Sequence, residues 1–213
     1  MISIPTATLL ITLTGPLSCG SATATLAVSG DEDLRAAYES GQTYADFHEG
    51  ADARKELWEQ NYGSGSVSAE LIERARALPD GYRILAIAVA GCSDSVNTIP
   101  YVAHLTQAVE GLDMRIVSSA DYHGLMTARP TPDGRGATPT LIILDQDYNE
   151  VGCWIERPSP LQEWALGEGQ DLGRRDFMQE KMAWYAEDGG QTTVTEVIDI
   201  IEAASQGERR CGS

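Results

Sequence analysis

Lysine is almost missing from this chain. Lys55 and Lys181 are the only two among 15 basic residues, which face 32 Asp and Glu for a formal charge of −17 over 213 residues. So acidic a chain has no basic face with which to displace counterions from a phosphate backbone, and this excludes nucleic acid as a partner. It suits a salt-rich setting as a matter of solubility, not of fold. No apolar run reaches the ~18–20 residues of a membrane span. Cys-x-x-Cys pairs are absent: Cys19, Cys92, Cys153 and Cys211 are scattered, and neither they nor His48, His104 and His123 have the spacing of a zinc site. The Gly-x-Ser-x-Gly elbow of hydrolases is missing. Gly167-x-Gly169 follows no strand pattern, which argues against a nucleotide fingerprint. Asp145-x-Asp147-x-Asn149 opens like a calcium loop, but Glu150 occupies the place where such a loop needs glycine, so a hairpin turn is expected. No metal and no cofactor are expected, and no internal repeat is visible.

An apolar share of 42% is present and is enough for a buried core. Residues 1–29 are nearly uncharged, with Leu9-Leu10-Ile11-Thr12-Leu13 as a short apolar stretch and Ser18-Cys19-Gly20 behind it. They read as an extension, and a cytoplasmic protein is expected. Export through a weak signal-like segment is the alternative, opposed by the missing basic residues before the apolar stretch. Residues 30–205 read as a single α/β domain: helical at 30–80, a central unit at 81–158, and C-terminal helices at 159–205. Residues 206–213 read as a loose tail. In the central unit, apolar runs at 84–89, 114–117, 140–144 and 151–155 predict strands, the first of them buried on both faces. The order strand–helix–strand–(short helix)–strand–strand implies parallel crossovers followed by an antiparallel hairpin. Trp58, Trp154, Trp164 and Trp184 read as anchors packing the added helices on the sheet.

The chemistry centres on Cys92. It follows a buried strand and opens a helix, where unpaired backbone N–H groups and the helix dipole favour an anion such as a thiolate. Pro100 then interrupts the helix. Ala137-Thr138-Pro139 leads from a Gly/Pro-rich loop into a strand, a position that suits a cis proline. Of the other cysteines, Cys153 reads as a small buried hydrophobe, and Cys19 and Cys211 as passengers in the tails. Free thiols are expected. If residues 1–28 were cleaved on export, the pairing of Cys153 and Cys211 would have to be reconsidered.

Cys92-x-x-Ser95, with Pro100 in the next helix and Thr138-Pro139 opening a later strand, resembles the thioredoxin superfamily. Cys92-Ser93-Asp94-Ser95 followed by Asn97-Thr98-Ile99-Pro100 is similar to a bacterial thioredoxin-like family that usually reads Trp-Cys-Gly-Asp-(Ala/Cys) here. The resemblance extends to Leu141-Ile142-Ile143-Leu144-Asp145 and Arg157-Pro158-x-Pro160, and spans roughly residues 31–204. It implies a thioredoxin-like fold, with helices on both faces of a mixed sheet and helical extensions at both ends. It also implies thiol–disulfide exchange with a protein or a low-molecular-weight thiol or disulfide. Cys92 would be the nucleophile, Ser95 a hydroxyl bonded to its thiolate, and Thr138 and Pro139 the substrate platform. Two departures bear on function. Gly91 stands where the family has tryptophan, and Ser95 stands where a dithiol enzyme has its resolving cysteine, so release of a mixed disulfide by a second thiol is not available at this motif. Asp94 suits a helix start, yet its charge is expected to oppose a neighbouring thiolate. The alternative is a non-catalytic thioredoxin-like binding module.

Overall fold

Residues 84–88 form an unbroken apolar run because the strand they build is covered on both sides. The computed structural model describes residues 30–64 and 67–212; the signal-like segment and Cys19 lie outside them. Four helices come first: α1 (Gly30–Ser40), α2 (Tyr44–Glu49), α3 (Lys55–Ser64) and α4 (Ala69–Arg76). The Thr43 side chain caps α2 by accepting the Asp46 N–H, and Ser68 caps α4 by accepting the Leu71 N–H. The central unit follows as β1 (Tyr82–Ala88), α5 (Ser93–Val96), α6 (Ile99–Ala108), β2 (Leu112–Ser118), α7 (His123–Thr127), β3 (Thr140–Leu144) and β4 (Glu150–Ile155). Then come α8 (Ser159–Leu166), α9 (Arg174–Asp188), α10 (Gln191–Ser205) and a last short strand, β5 (Arg210–Gly212).

The sheet order is β2-β1-β3-β4-β5. On one face Ile84, Ala86, Leu141, Ile143 and Trp154 pack with Trp58, Val102, Leu105, Val194 and Ile198. On the other, Leu85, Ile87, Ile142 and Leu144 pack with Leu34, Ala37, Tyr38 and Met126. Alternate residues of each strand thus serve opposite cores, which is the reason for the continuous runs. Between β3 and β4 the Asp145 carboxylate accepts the N–H groups of Asp147 and Asn149 at 2.8 and 2.9 Å, making the expected hairpin turn. No described helix is long and apolar enough to cross a membrane.

The structure corrects the sequence reading at two places. First, β2 is parallel to β1, but β3 is antiparallel to it, so the second crossover is not parallel. The 119–139 connection, with the short α7 in it, stays at the end of the sheet where β2 finished, and the chain enters β3 from there. Second, the tail is not loose and its cysteine is not a passenger. Arg210, Cys211 and Gly212 pair with Gly152, Cys153 and Trp154 of β4, and Cys153 is joined to Cys211 by a disulfide. Gly152 makes room for this strand, since a Cβ there would lie 2.7 Å from the Arg210 carbonyl oxygen.

The junction of α9 and α10 offers a stability test. Gly189 and Gly190 both have positive φ, 58° and 80°, but a Cβ on Gly190 would fall 2.1 Å from the Tyr101 ring whereas one on Gly189 would meet nothing within 4 Å. Gly190→Ala is expected to lower stability by about 2–4 kcal/mol, from overpacking together with backbone strain. Gly189→Ala should cost about 1–2 kcal/mol from the backbone alone. Urea unfolding midpoints of the two variants check the difference.

Candidate functional site

The antiparallel entry of β3 brings the loop after β1 against the residues that open β3. Cys92 caps the start of α5 with extended backbone, and its N–H donates to the Val89 carbonyl at 3.0 Å. Its sulfur accepts the Ser95 N–H at 3.5 Å and directs its own hydrogen to the Thr138 carbonyl at 3.2 Å. The Thr138–Pro139 peptide is cis. Cys92, Ser95, Thr138 and Pro139 are therefore gathered at one end of the sheet. Cys92 and Thr138 are part-exposed, whereas Ser95 and Pro139 are buried. The geometry at Ser95 differs from the expectation: its backbone N–H faces the sulfur, and its hydroxyl oxygen accepts the Val89 N–H at 3.5 Å.

The N-terminal helices clamp this loop from one side. Arg54 Nε donates to the Gly91 carbonyl at 2.8 Å and Trp58 Nε1 to that of Ala90 at 3.0 Å. Asn61 Nδ2 donates to the Val96 carbonyl at 2.8 Å and to Asn97 Oδ1 at 3.0 Å, while Asn97 returns a bond to the Ser93 carbonyl at 2.7 Å. A Cβ on Gly91 would meet only Ala53, at 3.7 Å, so packing does not demand glycine there.

The other side is held by a buried ionic cluster. The Asp94 carboxylate accepts Lys181 Nζ at 2.9 and 3.0 Å, the Tyr185 hydroxyl at 2.9 Å and Arg157 Nε at 3.3 Å. Lys181 also donates to Ser93 Oγ at 2.9 Å. Arg157 is shared with Glu156 at 2.7 Å and Gln162 at 3.0 Å, and Glu156 faces Arg135 at 3.1 Å. Asp94 therefore does not present a bare charge to Cys92: two cations stand against it. Burial, and after it the charge of Asp94, holds the Tyr185 hydroxyl proton well above the ordinary tyrosine range.

Sequence reasoning missed Lys181, Tyr185, Arg157, Arg54 and Asn61 as parts of the site. A signal existed for two of them: Phe177, Lys181 and Tyr185 recur every four residues, one helical face that carries a lysine between two aromatics. Cys153 is bonded to Cys211 and not to Cys92, which is the free cysteine among the described residues. Glu150, Cys153 and Cys211 form the one grouping of three metal-capable side chains found among the described residues. Its sulfurs are joined to each other and its carboxylate faces Arg129 at 2.6 Å and Arg209 at 2.9 Å, so it does not fit a cation as it stands. Chemically, the site offers a part-exposed thiol with an N–H donor, a carbonyl acceptor, and no second thiol within the loop.

The model of a family described as Thioredoxin matches residues 41–181. Among solved structures, a protein of unknown function from Pseudomonas aeruginosa is similar, with a TM-score of 0.62 and 21% identity, covering 79% of this chain and 96% of that one. An HIV epitope scaffold is similar with a TM-score of 0.62 and 20% identity, covering 79% of this chain and 97% of that one. At such identities the likeness concerns the fold. No curated protein matches the sequence.

Removing the Asp94 charge strands two buried cations, and Asp94→Asn is expected to destabilise the fold by about 3–5 kcal/mol, read from urea midpoints. Tyr185 makes a pH-dependent contribution. Its folded pKa is raised, so its contribution is complete below the ordinary value near 10. Above that pH the unfolded tyrosine ionises while the folded one does not, and stability falls. Tyr38 and Tyr44 are shifted in the same direction by burial. Urea midpoints should therefore decline as pH rises past 10, and Tyr185→Phe should make that decline shallower.

Proposed function

Because the chain belongs to the thioredoxin family, we propose that it is a thiol–disulfide oxidoreductase acting through one active-site cysteine, Cys92. The observation that carries this reading is the placement of the Cys92 sulfur, part-exposed, 3.2 Å from the Thr138 carbonyl and 3.5 Å from the Ser95 N–H at the start of α5. The Cys92 thiolate attacks one sulfur of a protein or low-molecular-weight disulfide. A new S–S bond forms to Cys92, the old one breaks, and the departing sulfur leaves as a thiolate that takes up a proton. The Ser95 N–H steadies the anionic sulfur before attack, and Thr138 and Pro139 present the backbone against which the partner lies. Ser95 has no thiol to resolve the mixed disulfide, so a second thiol from outside attacks it and returns Cys92 to the thiolate.

The setting proposed from the sequence is cytoplasmic. The Cys153–Cys211 disulfide supports the exported alternative, because structural disulfides persist in oxidising compartments. A second reading, a non-catalytic binding module using the same groove, draws on Val89, which is 40% exposed beside Gly91 and offers an apolar contact next to the thiol.

A chromogenic aromatic disulfide added to the native protein separates the two. The oxidoreductase reading expects rapid modification of one described thiol, lost in Cys92→Ser, together with glutathione-dependent turnover of a small disulfide that drops in the same variant. Ser95→Cys should release the bound thiol without added glutathione. A Cys92→Ser protein that keeps full turnover sinks the oxidoreductase reading, and one that keeps its partner while the wild type shows no turnover establishes the binding module.

A further inference from the structure

A strand of only three residues, all of them exposed, gains little from burial, yet β5 is paired. Beside the ladder it makes with β4 and its contact with α10, an ion pair and a disulfide fasten it. One is the ion pair from Arg209, itself 62% exposed, to Glu150, and exposed pairs of this kind contribute little. The other is the Cys153–Cys211 disulfide. Its two sulfurs belong to opposite environments: Cys153 is fully buried within β4, and Cys211 is exposed on β5. Exchange requires a thiolate to approach a sulfur from the side away from its leaving partner, and the reaction is governed by access. Cys211 is the exposed partner, with the Glu150 carboxylate 4.0 Å from its sulfur, while Cys153 lies inside the core. Arg209 and Arg210 flank Cys211, facing Glu150 and Glu208. Residue 211 lies 30 residues beyond the last position of the family match.

We propose that Cys153–Cys211 is a second thiol–disulfide exchange site, attacked at Cys211 by a low-molecular-weight thiol, and that its reduction unlatches the C-terminal strand from the sheet. The incoming thiolate forms a bond to the Cys211 sulfur as the Cys153–Cys211 bond breaks. Cys153 leaves as a thiolate and takes up a proton. A second thiolate then attacks the sulfur of the first thiol, freeing Cys211 as a thiol and yielding the oxidised reductant: two thiols become one disulfide, and one protein disulfide becomes two thiols. With β5 released, Gly152, Cys153 and Trp154 lose their edge pairing. The groove of about 420 Å³ between β5 and the Trp154, Glu196 and Ile200 side chains loses one wall.

The test uses the full-length Cys92→Ser chain, so that its outcome is independent of the site proposed above. Native protein is held in graded reduced and oxidised glutathione, quenched in acid, denatured, alkylated with N-ethylmaleimide and mapped by mass spectrometry. Glutathione is expected on Cys211, with the alkylating group on Cys153. In the reduced protein, tryptic cleavage after Arg209 and Arg210 and deuterium uptake at residues 150–154 should rise by about tenfold or more. The surface variant Cys211→Ser, which cannot form the bond, should match the reduced protein without any reductant. A disulfide that resists glutathione until denaturant is added overturns the proposal. So does glutathione found on Cys153, or a reduced protein that keeps the cleavage and exchange rates of the oxidised one.

Discussion

A carboxylate taken out of water must find partners close to its oxygens, because an unpaired buried charge costs more than the fold can carry. Asp94 satisfies that demand with groups from two distant segments, Arg157 just after β4 and Lys181 and Tyr185 of α9. In a chain with only two lysines, one is fixed 3% exposed beneath the loop that carries Cys92. Inside the cluster, Asp94 and Glu156 oppose Arg157 and Lys181, so no net charge is left there, and from Glu156 the ion pairs run out to the exposed Arg135 and Asp133. Its consequence is mechanical as well as electrostatic. The start of α5, the exit of β4 and α9 cannot shift independently, because each holds part of the same set of bonds.

The opposite side of the loop is fixed by the helices that precede the sheet. Arg54, Trp58 and Asn61 bond to main-chain groups at Gly91, Ala90 and Val96, which fixes the backbone whatever the intervening side chains are. Helices from both ends of the chain therefore converge on about eight residues. The sheet itself contributes direction: β3 enters from the end at which β1 leaves, and only for that reason do Thr138 and Pro139 lie beside Cys92. A parallel β3 would have begun at the far end and placed them a strand-length away.

Direction is the feature that a linear pattern conveys least. The bounds of β3 at Thr140–Leu144 could be read from an apolar run between proline and aspartate, and the caps at Thr43 and Ser68 from their hydroxyls before apolar periodicity. Each rests on neighbours in sequence. The sense of β3 depends on which end of the sheet the 119–139 connection occupies, a property of the path through space. The Cys153–Cys211 bond joins positions 58 apart, and four cysteines admit three full pairings. Asp94 reads as a helix-start acid, and its pairing with Arg157 and Lys181 is not legible, because composition cannot distinguish a solvated ion from one matched to partners more than 60 residues away.

The strand register bears on how Cys92 completes a reaction. Cys153 lies opposite Ile142, and Ile142 lies opposite Leu85, so β3 stands between the β4 cysteine and the strand that leads to Cys92. Two strand spacings amount to about 10 Å sideways, and the three residues from Leu85 to the end of β1 add about 10 Å along the strand. That exceeds the ~7 Å Cα separation a disulfide can bridge, and Cys153 cannot reach Cys92 while the sheet is intact. Cys211, beyond β4, is farther still. Among the described residues, therefore, no other cysteine can resolve a mixed disulfide of the kind proposed at Cys92. The part-exposed Cys92 and the exposed Cys211 are consequently separate places on the surface, one fixed by the buried ionic cluster and the other by its bond to β4.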